Sequence, residues 1–303
     1  AMAPRGGGCD HDDGNAVRGC LCRHYSGLRQ KKQIMMLERG LTWFLRFYIG
    51  VIFLFVFTPI AFSIVFSFNS QRFPTIPLGE FSTKWYDTIL ADPDVWQAAL
   101  TSIVVSVCAS AIATVLGFCT AYSDYRYSFR FKGAYLALIL LPPTIPLIIM
   151  ALAMLAWFSK IGASGQVWSI IVAHSVLTAP FAMAIIRLRL AQMDENLEAA
   201  AWNLGASEWS AMRHVVVPFC KPAIVSAACL CAAVSFDEFA IAWFVSGLNK
   251  TVPVVILEIV TGNIDPQVNA IGTFVFVTSM TLVVVAQIFF STKQLRKSAG
   301  ETG

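Results

Sequence analysis

The chain has 303 residues, of which 57% are apolar and only 13% charged. Soluble chains carry about 25% charged residues, so this composition excludes an ordinary soluble domain and points to a membrane protein. The net charge is +4, with the basic residues spread over short segments rather than gathered in one patch, which argues against nucleic acid as a partner.

Residues 1–34 are rich in Gly, Arg and Asp and carry no apolar period, so disorder is expected there. Met35 or Met36 could be the natural start, with an upstream extension before it. The organisation expected is a cytoplasmic tail over 1–40, a transmembrane domain over 41–297 and a short tail over 298–303. Three of the eight cysteines, Cys9, Cys20 and Cys22, lie in the first tail. The others, Cys108, Cys119, Cys220, Cys229 and Cys231, lie in or beside apolar runs and read as small apolar filler. Neither a CxxC pair nor a Cys/His cluster suggests a metal.

A helix needs about 20 apolar residues to cross a bilayer. Six runs have that length: Phe47–Ser67, Ala98–Cys119, Ala134–Phe158, Val167–Ile186, Ala223–Ser246 and Ile271–Ser291. The fold class expected is therefore an all-α integral membrane protein with about six transmembrane helices. The first run exceeds a signal-peptide core and lacks a clear cleavage site, so it reads as retained. Pro142, Pro143 and Pro146 punctuate the third run and Pro180 the fourth. Each removes a backbone donor and bends a helix, either around a translocation path or as an ordinary packing kink.

Basic residues set the orientation. With both termini inside, the cytoplasmic segments hold 18 of the 22 Lys and Arg residues, leaving Arg72, Lys84, Lys160 and Lys250 outside. By the positive-inside rule both termini are cytoplasmic.

Between the fourth and fifth runs lies a cytoplasmic stretch, residues 187–222, too long for a bare turn. Asp194 can cap a helix carrying Glu195 and Glu198 in its first turn. Ala199, Ala200, Ala201 and Leu204 follow, and Gly205 stops it. Ser207 begins a second short helix, and Pro218 and Pro222 mark the return to the membrane. Small alanines at a surface let another backbone approach, so this is a candidate interaction element.

The same stretch resembles the EAA loop of binding-protein-dependent ABC importer permeases. That pattern is Glu-Ala-Ala, three residues, Gly, nine residues, Ile, one residue, Leu-Pro. Ala200, Ala201 and Gly205 match it, Ala206 follows the glycine, Val215 and Val217 stand at the aliphatic positions, and Pro218 matches. The glutamate departs: its register position is Ala199, and Glu198 comes one residue earlier. Phe66 to Asn69, Lys84 to Tyr86, Ser235 to Phe239, Phe244 to Gly247 and Asp265 to Ala270 look like the polyamine (spermidine/putrescine) branch.

The resemblance implies a type I ABC importer permease fold in a bacterial inner membrane and no enzymatic activity in this chain. It implies a second permease subunit making a heterodimer, two cytoplasmic ATPase subunits receiving the EAA loops, and an extracytoplasmic solute-binding protein. No cofactor is expected on this chain. ATP and Mg belong to the partner subunits, in keeping with the lack of a G-x-x-x-x-G-K-[ST] loop here.

Asp237 and Glu238 fall inside the fifth run. Charge at membrane depth costs roughly 2.5–3.5 kcal/mol on insertion scales and marks functional interiors. On a continuous helix the two would point about 100° apart. Either one of them lines the path and attracts an organic cation, or they make packing hydrogen bonds. Trp157, Trp243 and Phe244 could add cation–π contacts or belong to an interfacial aromatic belt. His174 reads as an interhelical donor or a proton relay. Glu80, Asp87, Asp92 and Asp94 read as a solvated face or a docking site for the binding protein. Other readings are an importer for an opine or amino-acid derivative, an ion-coupled secondary transporter using Asp237 and Glu238, and a membrane-anchored scaffold.

Overall fold

Apolar runs of membrane length become helices because in hydrocarbon only a ladder within the segment satisfies every backbone group. The computed structural model describes residues 13–71, 79–194, 196–262, 267–277 and 280–281, with side chains from Arg39 onward. Eleven helices are α1 (Asp13–Ser67), α2 (Lys84–Ala91), α3 (Pro93–Arg126), α4 (Lys132–Leu140), α5 (Leu147–Lys160), α6 (Val167–Leu190), α7 (Asn196–Asn203), α8 (Glu208–Ala211), α9 (Val217–Asp237), α10 (Ala240–Val245) and α11 (Val252–Gly262). A further helix, α12, covers Gln267–Val277. Among the described residues the only extended pairing is an isolated bridge between Asn69 and Phe81.

Among the described residues, four helical stretches are long and apolar enough to cross a membrane: Arg39–Ser67, Pro93–Arg126, Val167–Leu190 and Glu208–Asp237. They correspond to the first, second, fourth and fifth apolar runs. Residues 282–291 of the sixth run lie outside the described residues. The chain divides into two units, 1–63 and 64–303. In the first, helical backbone reaches back to Asp13, into the segment whose composition suggests disorder. Leu, Arg, Lys, Gln and Met are good helix formers, and extending an existing helix costs far less than starting one. Residues 1–12 and 298–303 lie outside the described residues.

In the second unit α3 is the central strut, packing along both α6 and α9. Its buried positions are nearly all small: Ala98, Thr101, Ser102, Val105, Ser106, Ala109, Ser110, Ala113, Thr114, Gly117 and Ala121 recur at helical spacing. Lipid is as apolar as leucine, so burying bulk gains little in a membrane. Small residues gain by letting backbones come together. At Gly117 a Cβ would sit 2.6 Å from the backbone nitrogen of Met183 and from the Cβ of Ala182, so only glycine permits this crossing. Met183, Ile186, Leu190, Val216, Cys220 and Cys231 form the buried cluster at this level. Phe158, Ile170, Ile241 and Val245 form another around α5, α6 and α10.

Two apolar runs are not continuous helices. The third splits into α4, a 3-10 turn at Pro142–Thr144 and α5, as its three prolines suggest. The fifth corrects the expected run to Ser246. It leaves the helix after Asp237, with Glu238 extended at φ −74° and ψ 119°, and resumes as the short α10. The expected second short helix of the 187–222 stretch is not a separate element either. It is the beginning of the continuous Glu208–Asp237 helix, which passes through a π turn at Met212–Val216. Pro218 and Pro222 deprive the carbonyls one turn back of their donors, and a wider turn is one way to accommodate that loss.

Replacing Gly117 with leucine should force α3 and α6 apart, at a cost of about 1–3 kcal/mol or more. Thermal unfolding of the purified protein and its abundance in the membrane should both fall. An unchanged midpoint would show that these helices do not depend on close approach.

Candidate functional site

Two places in the fold gather the residues that the sequence singles out. The first lies at the end of α3 that carries Arg126. Asp194 accepts from the backbone N–H of Asn196 at 2.9 Å and so caps α7, while Glu195 lies outside the described residues. At the other end the Ala206 N–H reaches the Ala201 carbonyl at 3.0 Å and the Gly205 N–H reaches Trp202 at 2.8 Å. These two bonds define a Schellman stop, with Gly205 left-handed at φ +84°. Ser207 then caps α8 by accepting from the Ser210 N–H.

Glu198 turns inward and is only 3% exposed. The Tyr122 hydroxyl donates to it at 3.3 Å, and Arg126 Nε stands 3.7 Å from its other oxygen. The Arg126 guanidinium in turn lies over the Trp202 ring, 4.4 Å from its centre. α7 is thereby pinned to α3 through its one inward carboxylate. Away from Glu198, Leu197, Ala200 and Leu204 are exposed, and Trp209 of α8 is exposed as well. Ala199, Ala201, Ala206, Val215 and Val217 are half-buried and Pro218 is exposed.

A neighbouring cluster was not singled out from sequence. Asp124 is buried and accepts from Arg187 Nε at 2.6 Å, with Lys132 Nζ 3.2 Å from its other oxygen. It joins α3, α4 and α6 at one point. Its sequence signal is an acidic residue at the end of an apolar run beside an otherwise basic segment.

The second place is a cavity of about 900 Å³ where the two interrupted runs face each other. Pro143 and Pro146 come from the first interruption, Asp237, Glu238 and Phe239 from the second, and Leu177 and Phe181 from α6. The two carboxylates are not equivalent. Asp237 is exposed to this space, and among the described residues it makes no hydrogen bond or ion pair. Glu238 is buried and accepts from the backbone N–H groups of Ala240, Ile241 and Ala242 at 3.0, 2.9 and 3.3 Å. Its Oε2 also lies 3.6 Å from His174 Nε2. His174 is fully buried in α6, and its Nδ1 is 2.9 Å from the Ser235 hydroxyl on α9, so it serves as an interhelical link. Trp157, Trp243 and Phe244 do not line the cavity. Trp157 packs its ring on Phe158, Phe244 packs on the α5–α6–α10 cluster, and Trp243 lies at the surface.

The remaining sequence signatures meet in pairs. Trp85 Nε1 donates to the Asn69 carbonyl at 2.8 Å, Lys84 Nζ to the Ser70 carbonyl at 2.6 Å, and Tyr86 shares a 2.7 Å bond with Ser67. Gly247 approaches so near Gly165 that a Cβ there would stand 2.8 Å from the Gly165 Cα. Asp265 lies outside the described residues. No group of three or more His, Cys, Asp or Glu able to hold a metal occurs among the described residues.

Comparison with known proteins accords with this geometry. The chain is 34% identical over 239 residues to the spermidine/putrescine transport system permease protein PotC of Haemophilus influenzae, covering 78% of this chain and 93% of that one. It is 32% identical to PotC of Escherichia coli K12, covering 84% and 96%. With the putrescine transport system permease protein PotI of Escherichia coli K12 it shares 30% identity, covering 74% and 82%. The fold is shared with a bacterial ABC transporter involved in the import of the acidic polysaccharide alginate. The TM-score there is 0.64 at 15% identity, covering 84% of this chain and 96% of the other. It is also shared with the MetNI methionine ABC transporter, with a TM-score of 0.55 at 19% identity, covering 65% and 95%. Residues 113–299, which hold the pinned α7, the π turn and both carboxylates of the cavity, match one family throughout. The chain belongs to the binding-protein-dependent transport system inner membrane components.

Proposed function

We propose that this chain is one permease subunit of an ATP-driven importer for a small organic cation, a polyamine such as spermidine or putrescine. The observation that carries this reading is the similarity to spermidine/putrescine permeases over more than nine-tenths of their length. In this reading the six apolar runs cross a bacterial inner membrane, and the excess of Lys and Arg in alternate segments supports cytoplasmic placement of both termini. A second, different permease completes the pathway. Two ATPase subunits bind ATP and Mg, and an extracytoplasmic binding protein delivers the solute.

The cavity suits such a solute. A polyamine alternates ammonium groups with methylene chains. Asp237 offers a carboxylate without a partner among the described residues, at one side of a space whose wall includes Pro143, Pro146, Leu177 and Phe181. One ammonium pairs with the carboxylate while methylenes lie on the apolar wall, and the remaining sites come from the facing subunit. Between deliveries the contact must be weak enough to release, and a single carboxylate beside water meets that condition better than a closed cage of acids. ATP-driven closure of the ATPase pair acts through α7, whose exposed Leu197, Ala200 and Leu204 enter the ATPase groove, and alternates the access of the cavity between the two sides.

Loss of this chain should abolish uptake of radiolabelled spermidine in cells carrying the other subunits, and normal uptake would overturn the polyamine reading. Asp237→Asn should raise the KM for spermidine about tenfold, which corresponds to about 1.4 kcal/mol. Leu204→Asp puts a charge at the centre of an apolar docking face, where one residue is worth about 2 kcal/mol or more. The ATPase subunit recovered with the tagged chain should fall about 30-fold while the chain stays in the membrane. Undiminished recovery would place the docking face elsewhere.

A further inference from the structure

The break after Asp237 has no conventional cause. Ser235, Phe236, Asp237, Glu238 and Phe239 contain neither glycine nor proline, and the apolar run continues on both sides. In an unbroken helix the N–H groups of Ala240, Ile241 and Ala242 would donate to the carbonyls of Phe236, Asp237 and Glu238. Instead all three turn to the carboxylate of Glu238, at 2.9 to 3.3 Å. A side chain that bonds the backbone just ahead of it offers an alternative to the helix ladder. Three such bonds satisfy donors that, in a membrane interior, have no water to replace them. Behind the carboxylate, His174 faces Glu238 at 3.6 Å and holds Ser235 at 2.9 Å, which fixes the last turn of α9 against α6.

We infer that Glu238 is a positioning residue rather than a solute ligand: its carboxylate, backed by His174 and Ser235, makes the break and thereby leaves Asp237 uncovered toward the cavity. The two adjacent acids divide the work. Glu238 has three backbone donors and a buried imidazole around it, leaving little capacity for a cation, whereas Asp237 has no partner among the described residues. Without Glu238 the helix can continue past Asp237, which stacks Ala240 and Ile241 on the turn beyond it and covers the carboxylate from the cavity. A glutamine keeps one carbonyl oxygen, which can stand where Oε2 accepts from Ile241 and Ala242, so two of the three bonds and the break survive the loss of charge. A cation ligand would behave oppositely, because the neutral amide forfeits the attraction. The inference rests on the importer reading only in taking the cavity as part of the solute's route.

The test uses the full complex in membrane vesicles and a readout that needs no solute. In Asp237→Cys, the introduced thiol should react readily with a water-soluble methanethiosulfonate, measured against the parent chain to subtract native cysteines. Adding Glu238→Gln should leave the labelling rate within about twofold, and adding Glu238→Ala should slow it about tenfold or more. Equal labelling in all three would overturn the inference. In chains retaining Asp237, spermidine uptake gives the second readout. Glu238→Gln should keep the KM near that of the parent, and a rise matching that of Asp237→Asn would make Glu238 a ligand and overturn the inference. Should Glu238→Ala not accumulate in the membrane, the Glu238→Gln measurements decide alone. If Asp237→Asn transports spermidine normally while the labelling pattern holds, the break stands as described and the cation reading of the cavity fails.

Discussion

Backbone polar groups in the hydrocarbon region have no water to bind, and each one left unpaired costs several kcal/mol. This constraint governs where the chain may leave the helix. The third apolar run is interrupted at Pro142 and Pro143, which have no N–H to orphan, and the turn they occupy, Pro142–Thr144, is of the tighter 3-10 form. The fifth run is interrupted by a carboxylate that takes up the orphaned donors itself. Two different solutions deliver irregular backbone to the same cavity. Non-helical backbone at membrane depth is tolerated where it is buried in protein or lines a wet space, and both breaks satisfy that condition.

Everything around the cavity depends on α3 keeping small side chains toward its neighbours. Gly117 and the alanines and serines in register with it bring α3 against α6, and α6 carries His174 to Glu238 and Leu177 to the cavity wall. At the basic end the packing gives way to charge. Asp124 gathers Arg187 and Lys132, and Arg126 reaches Glu198 and Trp202. The two ends are held by different physics. Van der Waals contact suits the interior, where backbones can meet. Ion pairs suit the rim, where partial hydration lowers the penalty of burying a charge.

Much of this was legible in the residues. Apolar length marked six runs, of which four are helices long enough to cross among the described residues; prolines marked the third-run break, and Gly205 followed by Ser207 marked a stop and a new start that the backbone follows closely. The fifth-run break was not legible, because it comes from one side chain folding back, which no periodicity or breaker residue records. For the same reason Asp237 and Glu238 read as a pair on one helix, whereas the structure gives them opposite surroundings. The inward turn of Glu198 was equally hidden: a glutamate near a helix start is ordinarily a dipole partner facing water, and only the arrival of Tyr122 and Arg126 from α3 makes it a buried anchor. The Phe66–Asn69 and Lys84–Tyr86 signatures gave no hint that they touch, because contact between segments 16 residues apart is decided by tertiary packing.

α3 has 34 residues, which at 1.5 Å each is about 51 Å of unbroken helix. Near one end Tyr122 and Arg126 grip α7, and near the other the Ser102 hydroxyl accepts from the Val252 N–H at 2.8 Å. Beyond Pro93 at its first position the helix contains no proline to kink it. A tilt of α3 about the Gly117 crossing would therefore move the Ser102 end, 15 residues away, in the opposite sense to the Arg126 end and nearly twice as far, because Arg126 lies only nine residues away. One continuous helix thus joins the contact to α7 with the contact to α11, so that its rigid tilting would couple the two.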